Sequence, residues 1–336
     1  MDCTESLQEK FFDSTTIERF TLFMKTIMLG RLALVGMLFW LSIAAQAGEP
    51  FKVIRLWPEM PPGEKSDPPP EGHVSKPAGR RGAEKPGDRI GNVSIPTISL
   101  FSPPAGKANG TAVLVFPGGG YNFVTQAKEG TEICEWLNSL GVTAIQLKYR
   151  VPRRAGQEKH VAPLQDAQRA VGLIRERAAE LGIDPQRIGV IGFSAGGHLA
   201  AALATSGAQR TYAGIDAADA VSCRPDFAML IYPAYFTPAN DLTKLAPEVQ
   251  VTTNHPPTFM VMTEDDSHHV ENVLLYSLAL KRAKVPFELH VYPTGGHGYG
   301  RRHTGNPVAT WPDRATDWLR NQGLLSRNSP NQNDPD

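Results

Sequence analysis

The stretch Gly192-Phe193-Ser194-Ala195-Gly196-Gly197-His198 constrains this chain most. A short apolar run, Arg187 to Ile191, leads into it, and an alanine-rich run, Leu199 to Ala204, leads out. That order reads as a strand, a sharp turn and a helix, with Ser194 at the apex. The flanking glycines suit a turn too tight for a Cβ, and the serine itself is expected in strained backbone geometry. A serine presented this way is a nucleophile only if the rest of the chain supplies a base, an acid and an oxyanion hole.

The surrounding pattern fits a mostly parallel sheet. Apolar runs at Phe51–Trp57, Ile95–Phe101, Thr111–Phe116, Val142–Lys148, Ile188–Ile191, Ala228–Ile231, Thr258–Met262 and Phe287–Tyr292 read as about eight strands. Helical spacing appears at 130–140, where Gly141 stops it, and in the stripe Val161, Leu164, Ala167, Val171, Ile174, Ala178 and Leu181, closed by Gly182. Two more helices are expected at about 270–281 and at 309–319, where Trp311 and Trp318 fall on one face. Strands alternating with helices predict an α/β architecture, a mostly parallel central sheet with helices on both faces. Pro58 to Gly87 reads as a long surface loop that wraps rather than packs, and Pro233 to Val251, without periodicity, as part of a substrate-side cap. There is no internal repeat.

The ends are read differently. Residues 1–47 form a leader: Lys25 and Arg31 precede the apolar run Leu32 to Ala45, and Ala45-Gln46-Ala47 supplies an A-x-A site. The signal peptide is assigned to 24–47, with 1–23 as an upstream mis-start, because Met24 gives the more ordinary beginning. The apolar core falls short of the roughly 20 residues a span needs, so no stable membrane insertion is expected after cleavage. Residues 48–326 then form a single α/β domain, large enough to bury a sizeable core. The tail 327–336 is expected to be disordered. Export predicts a secreted or periplasmic location.

The 34 basic and 34 acidic residues balance. No strong field is available for nucleic acid, and none is expected as a partner. Beyond the leader, Cys134 and Cys223 read as two buried free thiols, although export permits a disulfide; neither has a C-x-x-C partner.

The chemistry is expected at the ends of strands. His297, in Thr294-Gly295-Gly296-His297-Gly298-Tyr299-Gly300, follows a strand and is collared by glycines; it is assigned as the base. His303 is its rival in the same loop. His73 and His160 lie ahead of the turn, His255 precedes a strand, and His290 lies within one. His198, one helical turn past Ser194, is expected to make a structural hydrogen bond. The acid is sought among Glu264, Asp265 and Asp266, directly after a strand; Asp265 is chosen and Asp266 held in reserve. The oxyanion donors are assigned to Gly119 or Gly120, in Pro117-Gly118-Gly119-Gly120-Tyr121, and to Ala195, whose N–H begins a helix. The Asp265-Asp266-Ser267-His268-His269 cluster does not read as a metal site, since ligands should converge from more than one element. Neither metal nor cofactor is expected. Asp166 and Arg169, at i and i+3, read as a helix-surface ion pair, and Tyr149-Arg150 as a loop anchor.

The segments Phe116–Tyr121, Gly192–His198, Asp265 to Asn272 and Gly295–Gly300 resemble bacterial secreted esterases of the α/β-hydrolase superfamily, near the acetylxylan-esterase and feruloyl-esterase-like group. Leu56-Trp57-Pro58 with Pro61-Pro62-Gly63-Glu64 resembles that group's N-terminal region, and the likeness covers roughly residues 51–322. The resemblance implies the α/β-hydrolase fold, a triad of Ser194, Asp265 and His297, and release of short acyl groups, often acetyl, from small-molecule or polysaccharide esters. Two positions depart from the pattern. Pro117 stands where related enzymes often carry histidine, which bears on oxyanion-loop geometry, and His269 where many carry proline. Three other readings are kept: a lipase or carboxylesterase on longer acyl esters, a peptidase resembling the prolyl oligopeptidase group, and a catalytically idle binding protein on the same fold. The peptidases usually bring a propeller, and no such repeat is present. Oligomeric state is left open.

Overall fold

The computed structural model describes residues 50–64, 68–75, 88–268, 270–303 and 305–326. The chain divides after Ala47 into two units, and everything below concerns the second. The leader assigned to 1–47, the tail 327–336 and His269 lie outside the described residues.

Eight strands form the main sheet: β1 (Lys52–Arg55), β2 (Thr97–Phe101), β3 (Ala112–Phe116), β4 (Thr143–Lys148), β5 (Ile188–Phe193), β6 (Ala228–Ile231), β7 (Thr258–Thr263) and β8 (Phe287–Tyr292). Their spatial order is β1-β2-β4-β3-β5-β6-β7-β8. β2 runs antiparallel to both its neighbours, and every pairing from β4 to β8 is parallel. All residues of β3, β5, β6 and β7 are buried, as expected of strands covered on both faces. The expected runs and the observed strands agree in number and order, with ends shifted by three residues or fewer.

The main helices are α1 (Glu132–Ser139), α2 (Val161–Glu176), α3 (Ala195–Ser206), α4 (Glu271–Arg282) and α5 (Trp311–Asn321). Successive residues of β5 show how they are layered. Phe193 packs on Trp311 of α5, whereas a Cβ at Gly192 would strike the carbonyl of Gly196 in α3. Neighbours along a strand point to opposite faces, so α5 and α3 cover opposite sides of the sheet. α1 joins α5 through Trp136 and Trp311, ring centroids 5.4 Å apart.

Two expectations change. Asp166 and Arg169 are not a surface pair: both are buried, at 0% and 2% exposure, and each has other partners. Asp166 accepts from Arg150 Nε at 3.0 Å, from the Arg150 amide at 2.9 Å and from Trp57 Nε1 at 2.8 Å. Arg169 pairs with Asp216 and Asp219 and donates to Leu56 O. Spacing on one helix could not show that other elements cover that face. The segment after Pro58 is also tied down rather than only wrapped. Arg150 donates to Pro62 O at 2.7 Å, and Gly72–His73 joins a small sheet with Arg89–Gly91 and Val124–Thr125. Among the described residues Cys134 and Cys223 are free and buried.

Candidate active site

β5 ends at Phe193 and α3 begins at Ala195, so Ser194 alone makes the turn. Its φ of 54° and ψ of −118° lie where an L-residue is strained. Gly196 is required for a related reason, because a Cβ there would meet Phe116 O at the end of β3. The strain is held by the Ser194 amide donating to Ile231 O at 3.1 Å and by Ser194 O accepting from His198 and Ala234.

His297 lies in the loop after β8. Ser194 Oγ stands 2.8 Å from its Nε2. On the ring's other side Nδ1 lies 2.8 Å from Asp266 Oδ2 and 3.0 Å from Oδ1. The Asp266 side chain is fully buried. The aspartate chosen from sequence is therefore corrected in its place: Asp265 does not reach the imidazole. Its carboxylate accepts from the amides of Gly296 at 2.8 Å and Gly295 at 3.2 Å, which hold it below the usual carboxylate range. It shapes the histidine loop from outside. Two adjacent residues in a turn point in different directions, and a sequence does not say which is which. His303 makes no contact with Ser194; the serine faces His297.

The turn after β3 lies beside Ser194: a Cβ at Gly118 would come within 3.0 Å of Ser194 Cβ. The Gly118 amide is already given to Glu129 Oε2 at 2.8 Å. Among the described residues, the amides of Gly119, Gly120 and Ala195 donate to no main-chain acceptor outside regular elements, which leaves them available to an oxyanion. Gly119, at φ 139°, has no room for a Cβ, which would overlap Phe123 O. Tyr149 Oη donates to Pro117 O at 2.6 Å and fixes the start of the turn.

Sequence reasoning missed two residues here. Glu129, 4% exposed, binds the Gly118 amide with one oxygen and accepts from Tyr232 Oη with the other at 3.0 Å. Tyr232 Oη in turn accepts from the Gly300 amide at 3.0 Å, and its ring lies 5.1 Å from that of His297. Lys128 donates to Gly298 O at 2.6 Å. The Gly118–Gly120 turn and the histidine loop are thus joined through one buried carboxylate. Nothing in the spacing of Glu129 separates it from any other helical acid.

A cleft of about 590 Å³ opens beside the site, lined among others by Lys159, Tyr235, Pro238, Leu242, Glu248 and His268. It adjoins the site through His268, whose ring stands edge-on to that of His297 at 4.2 Å and 6.0 Å from Tyr235. Much of its wall comes from the aperiodic segment after β6, the place where a cap was expected. Asp265 and Asp266 face different partners, and among the described residues no group of three His, Cys, Asp or Glu side chains could hold a metal ion.

The sheet order, the strained serine between β5 and α3 and the facing histidine loop define an α/β-hydrolase, and the chain belongs to that superfamily. The BD-FAE family model matches residues 98–224. The chain is 35% identical over 204 residues to endo-1,4-beta-xylanase B of Butyrivibrio fibrisolvens, covering 55% of this chain and 32% of that protein. It is 28% identical over 215 residues to an acetylxylan esterase of Xylanibacter ruminicola, covering 57% of this chain and 42% of that one. The chain thus spans less than half the length of these two relatives. Among solved structures, an acetyl ester-xyloside bifunctional hydrolase from Caldicellulosiruptor lactoaceticus matches with a TM-score of 0.63 and 33% identity, covering 84% of this chain and 99% of that one.

Proposed function

We propose that this protein is a serine esterase that removes short acyl groups, acetyl foremost, from a sugar or polysaccharide. The observation that carries the reading is the unbroken line from Asp266 through His297 to Ser194, 2.8 Å at each step, beside unspent amides at Gly119, Gly120 and Ala195. His297 Nε2 takes the Ser194 proton as Oγ attacks the ester carbonyl. Buried Asp266 keeps the remaining N–H on Nδ1 and steadies the imidazolium. The amides receive the negative oxygen, and the start of α3 adds a favourable dipole. His297 then protonates the departing alcohol, an acyl-enzyme remains on Ser194, and water activated by His297 releases the acid.

The cleft sets Lys159, Glu248 and His268 among apolar residues, polar groups that suit a hydroxyl-bearing alcohol portion. Two similar proteins, an acetylxylan esterase and an acetyl ester-xyloside bifunctional hydrolase, point the same way. The leader pattern at 24–47 adds a secreted or periplasmic location; among the described residues no helix is long and apolar enough to cross a membrane.

A chain-length series of p-nitrophenyl esters, run beside acetylated xylan, tests the reading. Acetate should be the preferred acyl group, and Ser194→Ala should cut turnover by a factor on the order of 10⁴ or more. Preference for long acyl chains would make the protein a lipase, and full activity in Ser194→Ala would remove the serine from the mechanism.

A further inference from the structure

A second carboxylate, imidazole and hydroxyl stand in line behind the site. His198, 0% exposed, lies one turn along α3, and its amide donates to Ser194 O at 3.1 Å. Its Nδ1 meets Tyr121 Oη at 2.9 Å, and its Nε2 faces Glu248 Oε1 at 3.3 Å. That second contact is longer and less well aligned than the first. The three groups belong to three parts of the site. Tyr121 closes the turn that carries Gly119 and Gly120 and is itself left-handed, at φ 61°. His198 rides on the helix that Ser194 begins. Glu248 sits in the short 3₁₀ turn Pro247–Val249 on the cleft wall.

The charge on Glu248 selects the tautomer. A carboxylate facing Nε2 favours the proton there, which leaves Nδ1 as a lone pair able to accept from Tyr121 O–H. With the opposite tautomer Nδ1–H would point at the phenol, and the buried hydroxyl hydrogen would lose its acceptor. Burial pushes the Tyr121 hydroxyl pKa up and the His198 pKa down, so both stay neutral, while His198 holds Glu248 down at about 2. His160 Nδ1 lies 3.6 Å from the same Glu248 oxygen, the Lys159 ammonium stands 3.1 Å above the Tyr235 ring, and Glu158 and the Tyr149 and Tyr235 hydroxyls also act on this end.

We propose that Glu248, His198 and Tyr121 are positioning residues that lock the oxyanion turn to the nucleophile helix and to the cleft wall. The inference rests on the esterase reading. Its consequence is kinetic: a turn released from α3 presents its amides less accurately to the transition state, while the bound ester is little affected.

The test compares Tyr121→Phe, Glu248→Ala, His198→Gln and His198→Asn on p-nitrophenyl acetate, with thermal unfolding recorded for each. Asparagine places an amide near the Nδ1 position and can still accept from Tyr121; glutamine places it near Nε2 and cannot. Tyr121→Phe and His198→Gln should lower kcat about tenfold with KM within twofold, a fraction of what losing a whole oxyanion donor costs. Glu248→Ala should lower it less, about threefold, and His198→Asn should stay within about threefold of the parent. Wild-type kcat in both Tyr121→Phe and Glu248→Ala would overturn the relay, as would equal damage from the two His198 variants. If neither His198 variant folds, the first pair decides. Ser194→Ala separates the two readings: if it is inactive while Tyr121→Phe is unchanged, the relay fails and the esterase stands.

Discussion

Replacing Asp266 by asparagine should do far more harm than the same change at Asp265, and the geometry says why. The His268 amide donates to Asp266 Oδ1 at 2.7 Å, and His297 Nδ1 lies 2.8 Å from Oδ2. An asparagine must keep its oxygen at Oδ1, or it would set a donor against the His268 amide. Its NH₂ then occupies the Oδ2 place and donates toward His297 Nδ1. The imidazole answers by carrying its proton on Nε2, so a donor now faces Ser194 Oγ and the base is gone. The side chain is fully buried and cannot turn outward to relieve the conflict. A tautomer fault of this kind costs about 10⁴ in kcat, roughly 5 kcal/mol of barrier. Asp265→Asn keeps the 2.8 Å bond from Gly296 and weakens only the longer one from Gly295, at a solvent-exposed position where charge contributes little, so kcat should stay within about threefold. Steady-state kinetics on p-nitrophenyl acetate with both variants suffices, unfolding curves confirming that each is folded. Asp266→Asn retaining most of its activity, or Asp265→Asn falling further than Asp266→Asn, would refute the tautomer argument.

Three more outcomes follow from the buried groups. Gly119→Ala should leave the protein folded but slow, because a Cβ overlaps Phe123 O and φ 139° excludes it; kcat at the wild-type level would show that the turn supplies no donor. Asp166→Ala strands the buried Arg150 charge and should cost about 3–5 kcal/mol in denaturant unfolding, with a loss under 1 kcal/mol contradicting the buried pair. His255 is 4% exposed, and burial holds it down at about 4 against 6.5 unfolded. The unfolded chain therefore binds the extra proton first. The stabilisation is complete above pH 6.5 and lost as pH falls toward 4, up to about 3 kcal/mol. His255→Gln should flatten the stability profile across that window, and an unchanged slope would assign the acid sensitivity elsewhere.

The central strands β3, β5, β6 and β7 were legible because each is an apolar run too short for a helix and closed by a turn signal. The places of Ser194 and His297 were legible for a second reason: glycine collars mark turns that only one geometry fits. Asp266 was not, since direction within a turn depends on which amides its neighbour captures, here Gly295 and Gly296 for Asp265. Nor were the partners of the buried Asp166, Arg169 and Glu129. Those partners lie on other elements, 16 to 109 residues away for Asp166, and helical spacing carries no trace of them.

The cleft wall between β6 and β7 pairs with no strand of the main sheet. Lengthening a loop costs only about 0.6 kcal/mol per doubling. Insertions there would alter what the cleft admits and leave the reacting atoms where they are. Glu248 limits this freedom, because its carboxylate reaches back to His198. Changes in the stretch ahead of that glutamate can therefore reshape the cleft while Ser194, His297 and Asp266 stay where they are.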